Sequence, residues 1–262
     1  MRQINSKLLF EQIFPIVQAA GDSIMEVYAF GAANVAQKED SSPVTQADLA
    51  AHFVLATGLS SLLPNCPVVS EEDLVTQVYR KDMGRFWIID PLDGTKEFIS
   101  RNGEFTVNIA LIEDGRSVLG VVYAPAIDAL YWGGLGLGAF RRTQGETVRI
   151  QVSIGNSSKI IRVVASKSHF NDLTQSFIDR LGPVSLIQAG SSLKFCRIAE
   201  GTADVYPRLA PTCEWDTAAA QAVLEGAGGM VLDLGSQPLR YGKPDVLNPP
   251  FIATRDWGLI PQ

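Results

Sequence analysis

Residues 87–98 read WIIDPLDGTKEF, an apolar run that ends directly in two aspartates three positions apart. An apolar run of this kind indicates a buried strand, so Asp90 and Asp93 are expected at the end of that strand. Pro91 fixes the backbone angle φ after Asp90, and Gly94 supplies a flexible corner that lets both carboxylates face one point. Burying unpaired carboxylates is costly, and a hard divalent cation such as Mg²⁺ compensates this cost because it prefers oxygen ligands.

A purely structural interpretation of this stretch stays open at this point. Asp-Pro-Leu-Asp-Gly-Thr has the composition of a turn, and Thr95 has the side chain of a helix cap for residues 96–100. Lys96 follows immediately, and the sequence is as consistent with a solvated side chain as with a role in the site.

Two other segments supply acidic side chains. Residues 67–73, PVVSEED, are a second short apolar run that ends in acid, with Glu71 and Glu72 at its end. In residues 214–220, EWDTAAA, Asp216 stands where an N-cap would begin an alanine-rich helix. Each segment alone is typical of a solvated charge run or of a helix cap. Together with residues 90 and 93 they form a set of carboxylates suited to a metal site.

The composition limits the class of protein. The chain has 262 residues, of which 46% are hydrophobic and 19% charged, and its net charge is −6. These values are typical of a globular protein, and the negative charge argues against a broad nucleic-acid-binding surface. The three cysteines form no CxxC pair and the two histidines no HExxH pattern, so we expect neither a disulfide framework nor a zinc site. A reducing, cytoplasmic environment fits this cysteine usage.

Two segments of the sequence are apolar enough to suggest membrane insertion. The N-terminal segment contains Glu11 and Pro15 and so lacks the unbroken apolar core of a signal peptide. Residues 118–140 carry a single charge, Asp128, but they also contain Pro125 and five glycines, which are typical of punctuated strands. We therefore expect no integral membrane segment.

The periodicity of apolar residues predicts a mixed α/β order. Two amphipathic helices, residues 8–28 and 47–63, come first. Strands are predicted at 86–89, 105–113, 117–123 and 129–132, with a hairpin turn at Asp114-Gly115. The second half alternates strand 160–165, helix 172–181, strand 184–188, helix 192–200, strand 204–206, helix 217–226 and strand 230–233. The segment 142–159 is predicted to be the least structured, so we place a soft boundary near residue 150, between halves 1–150 and 151–262 that pack as one unit.

The motifs resemble those of the inositol monophosphatase superfamily, whose members are Mg²⁺-dependent, lithium-sensitive phosphatases. The matching segments are Ser70-Glu71-Glu72, residues 87–95 and Trp215-Asp216-Thr217-Ala218, in the same order and spacing. Residues 93–99, 101–110, 190–196 and 199–201 are further similar to the bacterial 3'(2'),5'-bisphosphate nucleotidases of the CysQ type. The resemblance covers nearly the whole chain and implies a layered αβαβα sandwich.

The resemblance also implies a set of site residues. Glu71, Asp90 and the carbonyl of Leu92 would bind a first Mg²⁺, and Asp90, Asp93 and Asp216 a second, with two or three ions per site. Thr95, relayed to Asp48, would orient and deprotonate the attacking water together with Glu71. Glu72 is read as a solvated neighbour. The implied substrate contacts are Glu71, Leu92, Asp93, Gly94, Thr95, His169, Ser191, Ser192, Lys194, Arg208 and Asp216.

For several of these residues, a structural role is an alternative to contact with the substrate. In one interpretation, Ser191 or Ser192 caps the following helix, and the helix amides and Lys194 face a phosphate. In the other, the serine is a plain helix cap and Lys194 is a surface lysine. His169 is either a nucleotide contact or a structural histidine. Arg208 is a candidate contact for a second phosphate.

The implied function is hydrolysis of the 3'-phosphate of adenosine 3',5'-bisphosphate, and also of 3'-phosphoadenosine 5'-phosphosulfate, in sulfur assimilation. An inositol or other sugar monophosphatase would share the metal site, so the metal motifs do not separate these substrates. An alternative of a different class is a non-catalytic, metal-stabilised binding protein. The resemblance further implies a cytoplasmic enzyme, for which peripheral association with the inner membrane stays open. The sequence does not define its oligomeric state.

Overall fold

The structure is a computed structural model, which describes residues 6–30, 36–37, 43–80, 83–154, 160–166 and 171–261. His169 lies outside the described residues. The helices and strands, in chain order, are α1 (Ser6–Phe30), β1 (Ala36–Gln37), β2 (Pro43–Val44), α2 (Gln46–Leu62), β3 (Val68–Ser70), α3 (Leu74–Tyr79), β4 (Arg85–Asp93), α4 (Thr95–Ile99), β5 (Thr106–Glu113), β6 (Arg116–Ala124), β7 (Ala129–Gly134), β8 (Gly138–Thr143), β9 (Glu146–Ile150), β10 (Ile161–Ala165), α5 (Asp172–Arg180), β11 (Val184–Gln188), α6 (Leu193–Ala199), β12 (Val205–Arg208), α7 (Glu214–Gly226), β13 (Met230–Asp233) and β14 (Phe251–Thr254).

Seven strands form the larger sheet, in the order β3-β4-β5-β6-β7-β8-β9. Strand β3 is parallel to β4, and every other neighbouring pair is antiparallel. Asp114 and Gly115 both have positive φ angles in the tight turn between β5 and β6, which confirms the predicted hairpin. The smaller sheet has the order β11-β10-β12-β14-β13, with β10 parallel to both of its neighbours. Strands β1 and β2 form a separate antiparallel pair.

The layers follow from the faces that each element buries. Helices α1 and α2 cover one face of the seven-stranded sheet, where their apolar residues join alternate residues of β4 to β7 in one core. Helices α6 and α7 lie between the two sheets and form a second core with both of them. Helix α5 covers the outer face of the smaller sheet. The predicted αβαβα sandwich is confirmed.

Helix α7 approaches the larger sheet unusually closely, and a glycine makes this possible. A side chain on Gly120 of β6 would place its Cβ 2.0 Å from the carbonyl oxygen of Ala219. Only a residue without a Cβ permits this contact. The close approach brings the N-terminal turn of α7, with Asp216, next to the end of β4.

Three sequence predictions need correction. Helix α7 begins at Glu214 rather than at residue 217, so Asp216 is its third residue and not its N-cap. The segment 142–159, predicted to be the least structured, contains the turn of the β8–β9 hairpin and all of β9, and the two strands pair over residues 139–150. The prediction also missed β14, which pairs with both β12 and β13. The boundary at residue 150 coincides with the end of β9 and stays a prediction.

Within the described part of the chain, every helix is too short or too polar to span a bilayer.

Candidate active site

Three carboxylates converge at one end of the larger sheet. Glu71, Asp90 and Asp216 each have an oxygen atom within 4.8 Å of the others. They come from the end of β3, the end of β4 and the first turn of α7. Three carboxylates at this separation repel one another, and a divalent cation between them removes that repulsion.

The local backbone explains how β4 delivers its aspartates. The ladder between β4 and β5 is regular up to Asp90 and shifts register before Asp93. Pro91 lies in this shift, where its lack of an N–H costs no ladder bond. The amide of Leu92 donates to Oδ1 of Asp90 at 3.0 Å, so the aspartate side chain fixes the bulge that follows it. Next to it, the amide of Glu71 donates to the Ile89 carbonyl at 3.2 Å and holds the end of β3 against β4.

Asp216 is fixed by the start of its own helix. Its Oδ2 accepts a hydrogen bond from the amide of Cys213 at 2.8 Å, as the third helical residue does in a capping box. Burial, and after it the negative charges of Asp93 and Glu71, raise the pKa of Asp216 to about 8. The raised pKa reflects the electrostatic cost of placing several carboxylates close together. A bound cation would lower the pKa again, because it stabilises the charged carboxylate. The donor set therefore fits a hard divalent metal.

Thr95 and Asp48 also meet in the structure. The Thr95 hydroxyl lies 3.4 Å from Oδ1 of Asp48 and 3.4 Å from the carbonyl oxygen of Leu92. The other oxygen of Asp48 accepts from both the amide and the hydroxyl of Thr45, at 2.7 Å and 2.6 Å, at the start of α2. Thr95 is the first residue of α4 and Gly94, with φ of +92°, occupies the N-cap, so the interpretation of Thr95 as a cap is wrong.

A cleft of about 400 Å³ opens beside the carboxylates. Its walls include Glu71, Asp93, Gly94, Thr95, Lys96, Glu97, Ser166, Ser191, Lys194, Tyr206, Arg208, Thr212, Cys213 and Asp216. Two of these residues are buried cations, Lys194 with 6% and Arg208 with 9% of its surface exposed. The cleft is thus lined by both acidic and basic side chains.

The two cations differ in their partners. The Lys194 ammonium lies 5.5 Å from the centre of the Tyr206 ring. Burial lowers the pKa of Lys194 to about 8, although the charge of Asp93 acts in the opposite direction. Arg208 donates from Nη2 to the Pro211 carbonyl at 2.9 Å, while its buried Nε has no acceptor among the described residues. A buried donor without an acceptor is expected where a ligand supplies it.

The surface-lysine alternative for Lys194 is wrong, because the side chain is buried in the cleft. The capping alternative for Ser192 is wrong as well: it occupies the N-cap position of α6, but its side chain makes no capping hydrogen bond. Glu72 and Asp93 both lie outside this group of three carboxylates, so the solvated role of Glu72 and the metal-binding role of Asp93 stay predictions.

The sequence reasoning missed two buried residues that contact Asp93, Thr106 and Asn108 of β5. Both are almost fully buried, and both contact Oδ2 of Asp93, at 3.5 Å and 3.3 Å respectively. The sequence did contain a signal for them: two polar residues stand at alternate positions of an otherwise apolar strand, and residues at alternate positions face the same side of a sheet.

A model of the inositol monophosphatase family matches residues 7–258 of this chain. Among curated proteins, the chain is similar to the 3'(2'),5'-bisphosphate nucleotidase CysQ of Salmonella typhimurium, at 47% identity over 94% of this chain and 99% of that protein. It is also similar to the protein of the same name from Escherichia coli K12, at 46% identity over 93% of this chain and 98% of that protein.

Solved structures similar to this chain belong to the same family. CysQ from Bacteroides thetaiotaomicron, described as a bacterial member of the inositol monophosphatase family, superposes with a TM-score of 0.82 and 39% identity, over 94% of this chain and 97% of that one. The IMPase of Thermotoga maritima superposes with a TM-score of 0.76 and 26% identity, over 95% of this chain and 92% of that one.

Proposed function

Because this chain belongs to the inositol monophosphatase family, we propose that it is a metal-dependent 3'(2'),5'-bisphosphate nucleotidase. Its reaction is hydrolysis of adenosine 3',5'-bisphosphate. The oxygen of water forms a bond to the 3'-phosphorus, the bond between that phosphorus and the 3'-oxygen breaks, and the released 3'-oxygen takes up a proton. The products are AMP and inorganic phosphate.

The observation that carries this proposal is a cleft lined by both carboxylates and buried cations. The carboxylates of Glu71, Asp90 and Asp216 suit metal ions that hold the phosphate to be cleaved. Lys194 and Arg208 are buried in the wall of the same cleft, where their charges suit a second anionic group. A bisphosphate supplies both anionic groups in one molecule, whereas a monophosphate supplies only the group that the metal ions would hold.

The proposed metal ligands are those that the resemblance implied. Glu71, Asp90 and the carbonyl of Leu92 would hold one Mg²⁺, and Asp90, Asp93 and Asp216 another, with two or three ions in all. Bound metal ions would lower the pKa of a water molecule and stabilise the negative charge that develops on the phosphate.

Thr95 and Asp48 would position the water and accept its proton. The Thr95 hydroxyl has two acceptors at equal distance, Asp48 Oδ1 and the Leu92 carbonyl. When the Leu92 carbonyl serves as a metal ligand, Asp48 is the acceptor that remains for the hydroxyl proton. The Thr95 oxygen is then free to accept a hydrogen bond from water, and Asp48 receives the proton that Thr95 passes on. Thr45 keeps the Asp48 carboxylate in place for this role.

The remaining proposed substrate contacts are Gly94, His169, Ser191 and Ser192. Activity on 3'-phosphoadenosine 5'-phosphosulfate, a role in sulfur assimilation, a cytoplasmic location and peripheral association with the inner membrane stay predictions.

The test is phosphate release from adenosine 3',5'-bisphosphate, inositol 1-phosphate and fructose 1,6-bisphosphate, measured side by side with Mg²⁺. We expect strong preference for the nucleotide, loss of activity with EDTA and inhibition by Li⁺. Preference for inositol 1-phosphate would replace the substrate assignment with the monophosphatase alternative. Absence of release from all three would favour a non-catalytic binding protein.

A further inference from the structure

The hydroxyl of Ser191, a residue in the wall of the cleft, makes hydrogen bonds within the protein. Ser191 Oγ donates to the backbone carbonyl of Asp93 at 2.9 Å and lies 2.6 Å from Oγ1 of Thr106. Since a hydroxyl has one proton, Ser191 donates to the Asp93 carbonyl and accepts from Thr106. The proton of Thr106 is then committed to Ser191, so Thr106 acts on Asp93 through Ser191 rather than through the carboxylate oxygen 3.5 Å away. Both of its polar contacts are therefore within the protein.

Ser192 repeats this arrangement on the second proposed metal ligand. Its Oγ donates to the backbone carbonyl of Asp216 at 3.1 Å and accepts from Nδ2 of Asn108 at 2.9 Å. Asn108 Nδ2 also donates to the Asp93 carboxylate at 3.3 Å, so its two protons go to two separate acceptors. Asn108 thus joins a metal-binding carboxylate to the loop that precedes α6.

This loop, residues 190–192, is docked along the segment that leads into β5. The amide of Gly190 donates to Oε2 of Glu104 at 3.0 Å, and a Cβ at Gly190 would lie 2.6 Å from the Glu104 carbonyl oxygen. Ser191 has a φ of +51°, a left-handed conformation that L side chains rarely adopt. Such a conformation persists only where the surroundings enforce it, and the two hydrogen bonds of its hydroxyl do so.

The face of β5 supports a functional reason for these polar residues. Residues 106, 108, 110 and 112 share one face of the strand. Ala110 and Ile112 on that face are apolar and belong to the core beside α7. A strand that only had to pack would continue this pattern, because a buried polar group is costly unless every bond is made. The pattern changes to Thr106 and Asn108 at the end of the strand that reaches the cleft.

We infer that Thr106 and Asn108 are positioning residues that couple the proposed metal ligand Asp93 to loop 190–192, and through that loop to the subsite for the substrate's second phosphate. Thr106 does so through Ser191, and Asn108 through its own bonds to the Asp93 carboxylate and to Ser192. The loop leads directly into Lys194, whose amide donates to the Ser191 carbonyl at 3.5 Å. A restraint on the position of Asp93 therefore also restrains the loop that precedes Lys194, and with it the position of the Lys194 ammonium group. Metal binding and nucleotide binding reinforce each other as a result. This inference rests on the proposed function of the site.

The test compares Thr106→Val with Thr106→Ser. Valine has the shape of threonine and suits a strand, but it lacks the hydroxyl, whereas serine keeps the hydroxyl and loses only a methyl group. Mg²⁺ binding and AMP binding, with and without Mg²⁺, are measured by calorimetry, alongside KM, kcat and the thermal midpoint. In Thr106→Val we expect the Mg²⁺ dissociation constant and KM each to rise about five- to tenfold, and the strengthening of AMP binding by Mg²⁺ to shrink. Thr106→Ser should remain within about twofold of wild type in each quantity, since it keeps the hydroxyl bond.

A second variant, Asn108→Leu, removes the carboxamide while keeping the branched shape of the side chain, and it should show the same loss of coupling. If both variants lower only the thermal midpoint and bind Mg²⁺ and AMP as wild type does, the residues are structural and the inference is wrong. The proposed function fails separately, through absence of phosphate release by the wild-type protein.

Discussion

The hydroxyl of Thr95 lies 3.4 Å from Oδ1 of Asp48, and this pair joins α4, beside the carboxylates, to the first turn of α2. Asp48 is 2% exposed, so the contact is shielded from water. A shielded carboxylate that is already held by Thr45 needs little reorganisation when it receives a proton.

The first prediction concerns this pair. Thr95→Val should lower kcat by about 10²- to 10⁴-fold, the usual size of a general acid–base contribution, because no hydroxyl remains to relay the proton. Thr95→Ser keeps the hydroxyl and should retain much of the activity. The measurement is kcat at saturating Mg²⁺ and substrate. Equal kcat values for the valine and serine variants would contradict the relay.

The second prediction concerns Asp93. Asp93→Asn should abolish activity while leaving the fold intact, because the amide cannot replace a carboxylate in binding Mg²⁺. Asp256→Asn is the matched control, since Asp256 only caps the turn at residues 257–259. Circular dichroism and the thermal midpoint verify folding of both variants. Turnover near that of wild type in Asp93→Asn would contradict the proposed two-metal site.

The third prediction follows from the lowered pKa of Lys194, about 8. The side chain is cationic below this pH and neutral above it, while the substrate phosphates are already dianionic at neutral pH because their second pKa is about 6. KM for adenosine 3',5'-bisphosphate should therefore rise as the pH increases from 7 to 9. In Lys194→Met, KM should be higher at pH 7 and should not show this rise. A pH-dependent rise of the same size in both proteins would assign the effect to another group.

The fourth prediction follows from the raised pKa of Asp216, about 8. In the metal-free protein this carboxyl is protonated below that pH, and Mg²⁺ must displace the proton, so Mg²⁺ affinity should increase from pH 6 to 8 and then level off. The folded pKa lies above the unfolded one, so the stability of the metal-free protein should decrease over the pH range up to about 8. The shift of the thermal midpoint by Mg²⁺ should accordingly be larger at pH 8 than at pH 6. A shift independent of pH would contradict this assignment.

The sequence predicted the order of most helices and strands and the carboxylate set because both depend on short-range patterns, whereas the layered sandwich was implied by the family resemblance. Asp90 and Asp93 follow an apolar strand directly, and the turn that separates them is visible in Pro91 and Gly94. Apolar periodicity likewise identified most helices and strands, since each buries one face.

The remainder depends on contacts between distant parts of the chain. Lys194 is an ordinary helical lysine in sequence, and its burial results from packing against Tyr206 of the neighbouring strand. Thr106 and Ser191 are far apart in the chain, and nothing local to either shows that their hydroxyls meet. Strand β14 was missed because its four residues are identified as a strand only by pairing with β12 and β13.

The role of the buried cations in the cleft is tested by comparing kcat/KM for adenosine 3',5'-bisphosphate with that for 3'-AMP, which lacks the second phosphate, in wild type and in Lys194→Met. Wild type should prefer the bisphosphate by about 10- to 100-fold, as charge-assisted hydrogen bonds to one phosphate allow. This preference should largely disappear in Lys194→Met while activity on 3'-AMP is retained. Equal kcat/KM for the two substrates in wild type, or an unchanged preference in the variant, would show that the buried cations do not bind the second phosphate.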